Sequence, residues 1–178
     1  SRVLLFLPLA HIMARIVFLY GVSGKGRIGN VANTNSLIAD LQGFKPTALL
    51  VVPRVLEKIY NAAEAKTGGG TKLKIFRWAV QVAVENSEKS HHGPVFRVKR
   101  ALANRLVWSK LTAVLGSDCH FAVSAGAPLG KRLGHVFRGI GLTVIEAFGL
   151  TETTGPATLN HPTALVMGSV GQPLPGTS

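Results

Sequence analysis

Short apolar runs alternate along the chain with stretches in which apolar residues recur at helical spacing. A short run bounded by turn formers reads as a buried strand, and the helical spacing reads as an amphipathic helix. Val3 to Leu7 is the first such run, ended by Pro8. A helix is expected from about Ala10 to Tyr20, closed by Gly21. Gly24 to Gly29 reads as a loop, with a short strand over Ile28 to Ala32. Asn33 or Thr34 is the expected cap of a helix through Leu41. Thr47 to Val52 is a second buried strand, and Pro53 opens a helix to about Lys66 with Val55, Leu56, Ile59 and Tyr60 on one face.

Gly68-Gly-Gly70 reads as a flexible link. A long helix follows from Lys72 to about Glu88, broken by His91-His-Gly-Pro94. A second long helix is expected from Val95 to Leu115, with Val98, Leu102, Leu106 and Leu111 inward. Then come a strand at His120 to Ser124, a helix at Leu129 to Arg138 and a strand at Leu142 to Phe148. The tail from His161 is loop-rich, with Val170 in a short strand. Alternating strands and helices predict an α/β fold, a largely parallel sheet flanked by helices. The long helix pair reads as an insertion or a flank, and no internal repeat is present.

A chain of 178 residues is long enough for one domain with its own core. A hydrophobic content of 47% and a mean hydropathy of +0.30 exclude a disordered chain. The longest apolar runs are too short to cross a bilayer. The N-terminal residues lack a basic n-region and a cleavage site, and no initiator Met is present. The chain is therefore expected to start inside a domain, as a fragment. Its one cysteine, Cys119, excludes an internal disulfide and a cysteine-built zinc site. It reads as a buried structural thiol, and a cytoplasmic setting is expected.

The net charge of +12 is uneven: from Lys72 to Lys110 nine basic residues stand against two acidic ones. Such a face attracts anionic lipid, CoA phosphates or nucleic acid. The plainer alternative is a solvated helix face.

The richest chemistry lies between Val144 and Gly155. Val144 and Ile145 read as the end of a buried strand, Gly149 as a turn, and Thr151 and Glu152 as its lip. Open α/β sheets bind ligands at the carboxyl ends of their strands. A threonine hydroxyl donates to phosphate oxygens, a carboxylate suits Mg²⁺, and Phe148 offers a flat face to a base. A strand leaving the core through a polar turn explains the same residues without a ligand. Gly24-Lys-Gly-Arg-Ile-Gly29 matches G-x-G-x-x-G, but a helix precedes it and a strand follows, the reverse of a dinucleotide site. Ala122-Val-Ser-Ala-Gly126 resembles a nucleophile elbow around Ser124, with an acid and His161 downstream in the order of a serine hydrolase. Pro128 puts a loop where the elbow needs a helix. None of His91, His92, His120, His135 and His161 pairs at metal spacing.

Glu146-Ala-Phe-Gly-Leu-Thr-Glu-Thr153 resembles the aromatic-Gly-x-Thr-Glu signature of the adenylate-forming enzymes. Phe121-Ala-Val-Ser-Ala-Gly-Ala-Pro-Leu129 resembles a second signature of that superfamily, and Leu7-Pro-Leu-Ala-His-Ile-Met-Ala-Arg15 its Pro-Leu-x-His segment. Lys45 to Tyr60 is similar to the long-chain fatty acyl-CoA synthetase branch. Ala125 departs from the Gly-Gly-Ala-Pro that most relatives carry. The resemblance implies a central portion, residues 1–178, of a large N-terminal AMP-binding domain, with the phosphate loop and the C-terminal domain outside the chain. It implies a fatty acid–CoA ligase that joins a carboxylate to AMP from ATP, then passes the acyl group to CoA. In it the nucleotide falls to Ser124, Ala125, Gly126, Ala127 and Pro128, and to Glu146, Ala147, Phe148, Gly149, Leu150 and Thr151. Thr151, Glu152 and His11 are implied as catalytic, with Thr151 on the α-phosphate, Glu152 on Mg²⁺ and His11 near the acyl carboxylate. The fragment alone is expected to be inactive. The partners implied are fatty acid, ATP and CoA. Peripheral contact with anionic membrane is raised by the basic helical face, not by the resemblance, and no specific nucleic acid is expected.

Overall fold

The computed structural model describes residues 1–31, 33, 35–89 and 93–176. Its elements run β1 (Arg2–Leu5), α1 (Ile12–Ser23), β2 (Arg27–Asn30), α2 (Leu37–Phe44), β3 (Ala48–Val51), α3 (Pro53–Ala65) and α4 (Gly70–Glu88). They continue with α5 (Pro94–Ala103), a π-helical segment (Asn104–Trp108), α6 (Ser109–Leu115), β4 (Phe121–Ser124), α7 (Lys131–Gly139), β5 (Thr143–Leu150), β6 (Gly155–Leu159) and β7 (Gln172–Pro173). The strands form one sheet in the order β2-β1-β3-β4-β5-β6-β7. The first five are parallel and the last two antiparallel. The α/β fold with a largely parallel sheet stands as expected.

Strand residues alternate between the two faces. Leu4, Leu49, Val51, Ala122 and Val144 join the main core with Leu41, Leu56, Phe76, Trp108 and Phe137 from the helices. Full burial of one such side chain, Leu56 for instance, contributes about 1.5–3 kcal/mol. The helix pair expected as an insertion or a flank packs into the core: Trp108 is buried and donates its indole N–H to the Ala79 carbonyl at 3.0 Å. Helix α4 also clamps α7. Ala79 and Ala83 are fully buried, and a Cβ on Gly139 would lie 1.9 Å from the Ala83 carbonyl oxygen. The Asn86 amide donates to the Gly139 carbonyl at 2.8 Å.

Several expectations change. Gly21 does not close α1: the helix runs on to Ser23, and Gly21 is buried where a Cβ would strike Ile28. Gly29 lies in β2 under Phe44 and Leu4, so the glycines of that stretch serve packing. Asn33 forms the turn before α2, accepting the Asn35 N–H on its side chain, while Ser36 holds the cap position. Thr34, Ala32, His91 and His92 lie outside the described residues. The second long helix is divided by the π-helical segment, and its apolar residues do not all face inward. Val98, Leu102 and Leu106 are exposed, whereas Phe96, Ala103, Val107, Trp108 and Leu111 are buried. Of the four expected inward residues only Leu111 is inward. Leu129 is buried in a loop, and α7 starts at Lys131. Strand β5 runs two residues past Phe148, and β6 was not expected at all. The last short strand lies at Gln172–Pro173, beyond the half-exposed Val170.

Cys119 is buried at the foot of β4, and burial pushes its thiol from 9.0 up to about 11. Asp118, beside it, is held below its ordinary carboxyl value first by the Ser117 hydroxyl and then by Arg2.

Candidate nucleotide and acyl site

The loop after β4 is fixed by its neighbours. Ala125 donates its N–H to the Val51 carbonyl at 3.2 Å, one strand across. Gly126 takes a φ of +87°, a conformation that disfavours any side chain, and a Cβ there would meet only Val52 at 3.8 Å. Its role is thus conformational. Ala127 and Pro128 are exposed, and Leu129 is buried again. Glu146, the last residue of the parallel part of β5, is buried. One carboxylate oxygen accepts the Leu129 N–H at 3.1 Å and the other the Gly168 N–H at 3.0 Å. Glu146 therefore fastens the β4 loop to the strap that follows Asn160.

That strap was not foreseen. Buried Asn160 donates to the carbonyls of Val166 and Ser169, both at 2.8 Å, and accepts the Val166 N–H at 3.2 Å. Its own N–H donates to the Glu146 carbonyl at 3.0 Å. The strap closes onto α7, where Met167 packs against Gly134 and Gly168 against Lys131. The one signal in the sequence was a polar Asn directly after the Ala157–Leu159 run.

Gly149 is a strand residue, not a turn. The β5–β6 register slips between Phe148 and Gly149, and a Cβ on Gly149 would lie 2.0 Å from the Gly155 carbonyl oxygen. The turn sits at Thr151 to Thr154 instead, closed by the Thr154 N–H on the Thr151 carbonyl at 3.0 Å. Thr153 Oγ1 accepts the Leu150 N–H at 2.9 Å and lies 2.7 Å from the Gly155 carbonyl. Thr151 and Glu152 are exposed at this tip, and neither side chain has a partner among the described residues. Phe148 and Leu150 are half-exposed, and Ala147 is buried.

The hairpin returns across the sheet edge to α1: Gly155 is packed so closely that a Cβ would lie 2.5 Å from Ile16 Cδ1. His11 stands at the N-cap of that helix, exposed, in a turn where its N–H donates to the Pro8 carbonyl at 2.9 Å. Arg15 pins the same turn by donating to the Leu9 carbonyl at 2.8 Å. The carboxyl edge of the sheet thus gathers the β4 loop, the hairpin tip and the start of α1.

Ser124 is not a hydrolase nucleophile. It is 1% exposed, and its Oγ has no hydrogen-bond partner among the described residues, so no base is in reach. His161 spends its Nδ1 on Thr163 at 2.8 Å.

Among the described residues no three His, Cys, Asp or Glu side chains gather to cage a metal. Among the described residues Glu152 is the one carboxylate at the site without a hydrogen-bond or ion-pair partner. That suits Mg²⁺, which is bound through one or two carboxylates together with substrate phosphates. The glycine conformation at Gly126 and the bare hydroxyl of Thr151 suit a phosphorylated ligand in the same way.

A family model described as AMP-binding enzyme matches residues 1–178. The long-chain-fatty-acid–CoA ligase FadD15 of Mycobacterium bovis is 45% identical over 181 residues, covering 100% of this chain and 30% of that protein. Long chain acyl-CoA synthetase 3 of Arabidopsis thaliana is 33% identical, covering 96% of this chain and 26% of that protein. The chain spans about a third or less of the length of the curated relatives it matches. In fold it is similar to the N-terminal domain of FACL13 from Mycobacterium tuberculosis, with a TM-score of 0.56 at 16% identity, over 92% of this chain and 30% of that one. It is also similar to O-succinylbenzoate coenzyme A synthetase from Bacillus subtilis, solved with ATP and magnesium ion. There the TM-score is 0.59 at 16% identity, over 98% of this chain and 27% of that one.

Proposed function

The chain belongs to the AMP-binding enzyme family, and on that premise we propose that it is the central portion of the N-terminal domain of a long-chain fatty acid–CoA ligase. The whole enzyme would couple a fatty acid to CoA through an acyl-adenylate, at the expense of ATP. The observation that carries this is Thr151 and Glu152 at the hairpin tip, exposed and without side-chain partners among the described residues, beside the fastened β4 loop. The relatives' names point to the acyl substrate.

In this reading Ser124 to Pro128 and Glu146 to Thr151 form the nucleotide cradle. Gly126, Ala127 and Pro128 present backbone and small side chains to the adenine end, with Phe148 as a flat wall. Glu146 shapes the cradle through its two backbone hydrogen bonds. Thr151 donates to the α-phosphate. Glu152 holds Mg²⁺, which when bound neutralises charge on the phosphates during adenylation. His11 donates to an oxygen at the acyl carboxylate.

The test is Glu152→Gln in the full-length enzyme, which keeps the shape and removes the charge. Adenylation, read as pyrophosphate exchange, falls by roughly a hundredfold, typical of losing one preorganised electrostatic element. Added Mg²⁺ recovers part of the rate. A rate within about twofold of wild type would sink the metal role. The chain by itself gives no pyrophosphate with ATP, Mg²⁺, CoA and palmitate, and release above a heat-killed control would overturn the fragment reading.

A cytoplasmic enzyme that touches anionic membrane fits helix α5. Val95, Val98 and Leu102 are exposed along it, and Arg97, Lys99, Arg100 and Arg105 are exposed around them. An exposed apolar stripe with flanking cations suits an interfacial helix. No helix among the described residues is long and apolar enough to cross a membrane. Binding to phosphatidylserine vesicles is expected to fall steeply with salt. Equally tight binding to random duplex DNA would reduce the patch to a non-specific one.

A further inference from the structure

On the helical face of the sheet, a cavity of about 690 Å³ opens between α2, α3, α4 and the π-helical segment with α6. It lies at the C-terminal half of α3 and the start of α4. Because α3 leaves the carboxyl end of β3 and runs back, that position is toward the amino edge of the sheet, opposite the β4 loop and the hairpin. The size falls within the roughly 300–1,000 Å³ of small-molecule sites.

Its walls are apolar: Ile59, Phe76 and Leu111, all buried, stand at the back. Ile38, Ile75 and Leu106 also line it and are 37–41% exposed, so they leave an apolar surface open. The π-helical segment supplies Leu106 and Val107 to the wall, and such segments are frequent at functional sites. Lys66, Lys72 and Lys110 converge on the same cavity from three different elements or their ends. None of the three makes an ion pair among the described residues, whereas the nearby Glu64 is already engaged by Arg77 at 3.2 Å. Gly68, Gly69 and Gly70, between Lys66 and Lys72, all hold positive φ with open space at the Cβ position. A turn that only glycine accepts therefore keeps the two lysines on one side.

An apolar chamber with a cationic rim fits a ligand that is apolar along its length and anionic at one end. We infer that this cavity binds a single acyl chain with an anionic head, separately from the site at the carboxyl edge. The chain lies against Ile59, Phe76 and Leu111, and the head meets the three lysines. Ile38, Ile75 and Leu106 are covered when it is filled.

The test is equilibrium dialysis of the chain against dodecanoate, dodecyl phosphate and dodecan-1-ol, below their aggregation limits. One saturable dodecanoate or dodecyl phosphate per chain is expected. Tighter dodecanoate binding identifies a free fatty acid, and tighter dodecyl phosphate binding a phosphate-headed single-chain lipid. Replacing Lys66, Lys72 and Lys110 together by Gln weakens both anions at least about tenfold and leaves dodecan-1-ol within about twofold. Ala63→Trp, which fills the chamber, weakens all three. Should Ala63→Trp lose its helical circular dichroism, Ile75→Glu at the open rim serves instead and is expected to weaken both anions at least about tenfold. Thr151→Val with Glu152→Gln leaves binding within about twofold of wild type. Absence of saturable binding, retention in the filled or Ile75→Glu variant, or loss in the Thr151/Glu152 variant would each overturn the assignment. The last outcome would place the acyl chain at the carboxyl edge, and would not touch the ligase reading.

Discussion

The loop after β4 and the tip of the β5–β6 hairpin border the same sheet edge and are built in opposite ways. The loop is held from both sides, by Val51 across the sheet and by buried Glu146 beneath it. Its own exposed residues, Gly126, Ala127 and Pro128, carry almost no side-chain chemistry. The hairpin tip carries the chemistry, a hydroxyl and a carboxylate, and those two groups have no partner among the described residues. Shape and reactivity are thus divided. A rigid backbone can be read by a flat ligand, because close approach needs small side chains and fixed carbonyls. A charged group left free can meet a phosphate or a metal without first breaking a standing ion pair.

The comparison breaks most completely if the tip is displaced from the loop. In Gly149→Val a side chain meets the Gly155 carbonyl, and the hairpin must open. Overpacking of this kind costs about 1–3 kcal/mol. Adenylation in the full-length enzyme is expected to fall at least about a hundredfold, because a misplacement of about 1 Å is enough. Urea unfolding and pyrophosphate exchange read the two effects together. Glu152→Gln separates them: the rate falls about a hundredfold, while the unfolding midpoint stays put, since Glu152 is exposed and has no hydrogen-bond or ion-pair partner among the described residues.

Glu146→Gln is the converse. It keeps one acceptor oxygen and leaves one of two backbone donors unmatched, so stability drops by about 1–3 kcal/mol. The nucleotide's affinity weakens with it, and no Mg²⁺ rescue is seen. Thr151→Val removes one donor at nearly constant volume. About a tenfold slowing is expected, for one charge-assisted hydrogen bond, without rescue by Mg²⁺. An unchanged rate would take the hydroxyl off the phosphate.

The smallest effect is at Cys119, far from both. Its thiol is neutral in the fold until about pH 11, while the unfolded chain ionises from about 9.0. The folded value is raised, so the contribution is complete below pH 9 and falls away between pH 9 and 11. The slope is a fraction of the roughly 1.4 kcal/mol per pH unit that one proton allows. Cys119→Ala should remove that fraction from the alkaline limb of the stability curve. A fast reaction of the native thiol with iodoacetamide at pH 8 would contradict its burial.

How the amphipathic helices face shows why local pattern was enough in some places only. For α3 the spacing of Leu56 and Ile59 marked the buried side correctly. For the helix from Pro94 to Leu115 it marked the wrong side at Val98, Leu102 and Leu106, which lie ahead of or inside the π-helical segment, while Leu111 beyond it is buried. Exposed Val98 and Leu102 also mimic a core stripe. A periodic pattern reports that a face is apolar, not what covers it.

The sequence by itself determined the alternating β/α order, the strand cores around Leu4, Leu49, Ala122 and Val144, and the two motifs of the candidate site. These follow from local periods of two and 3.6 and from residues adjacent along the chain. Only the tertiary structure decided that Glu146 is a buried brace and that Ser124 Oγ has no partner among the described residues. It alone made Gly149 a strand residue under the Gly155 carbonyl, and brought the hairpin back to Ile16. Each depends on groups far apart in sequence: Glu146 on Gly168, Ser124 on what packs around the end of β4, Gly155 on α1. Burial and hydrogen-bond partners are properties of the packed sheet edge, and no window along the chain contains them.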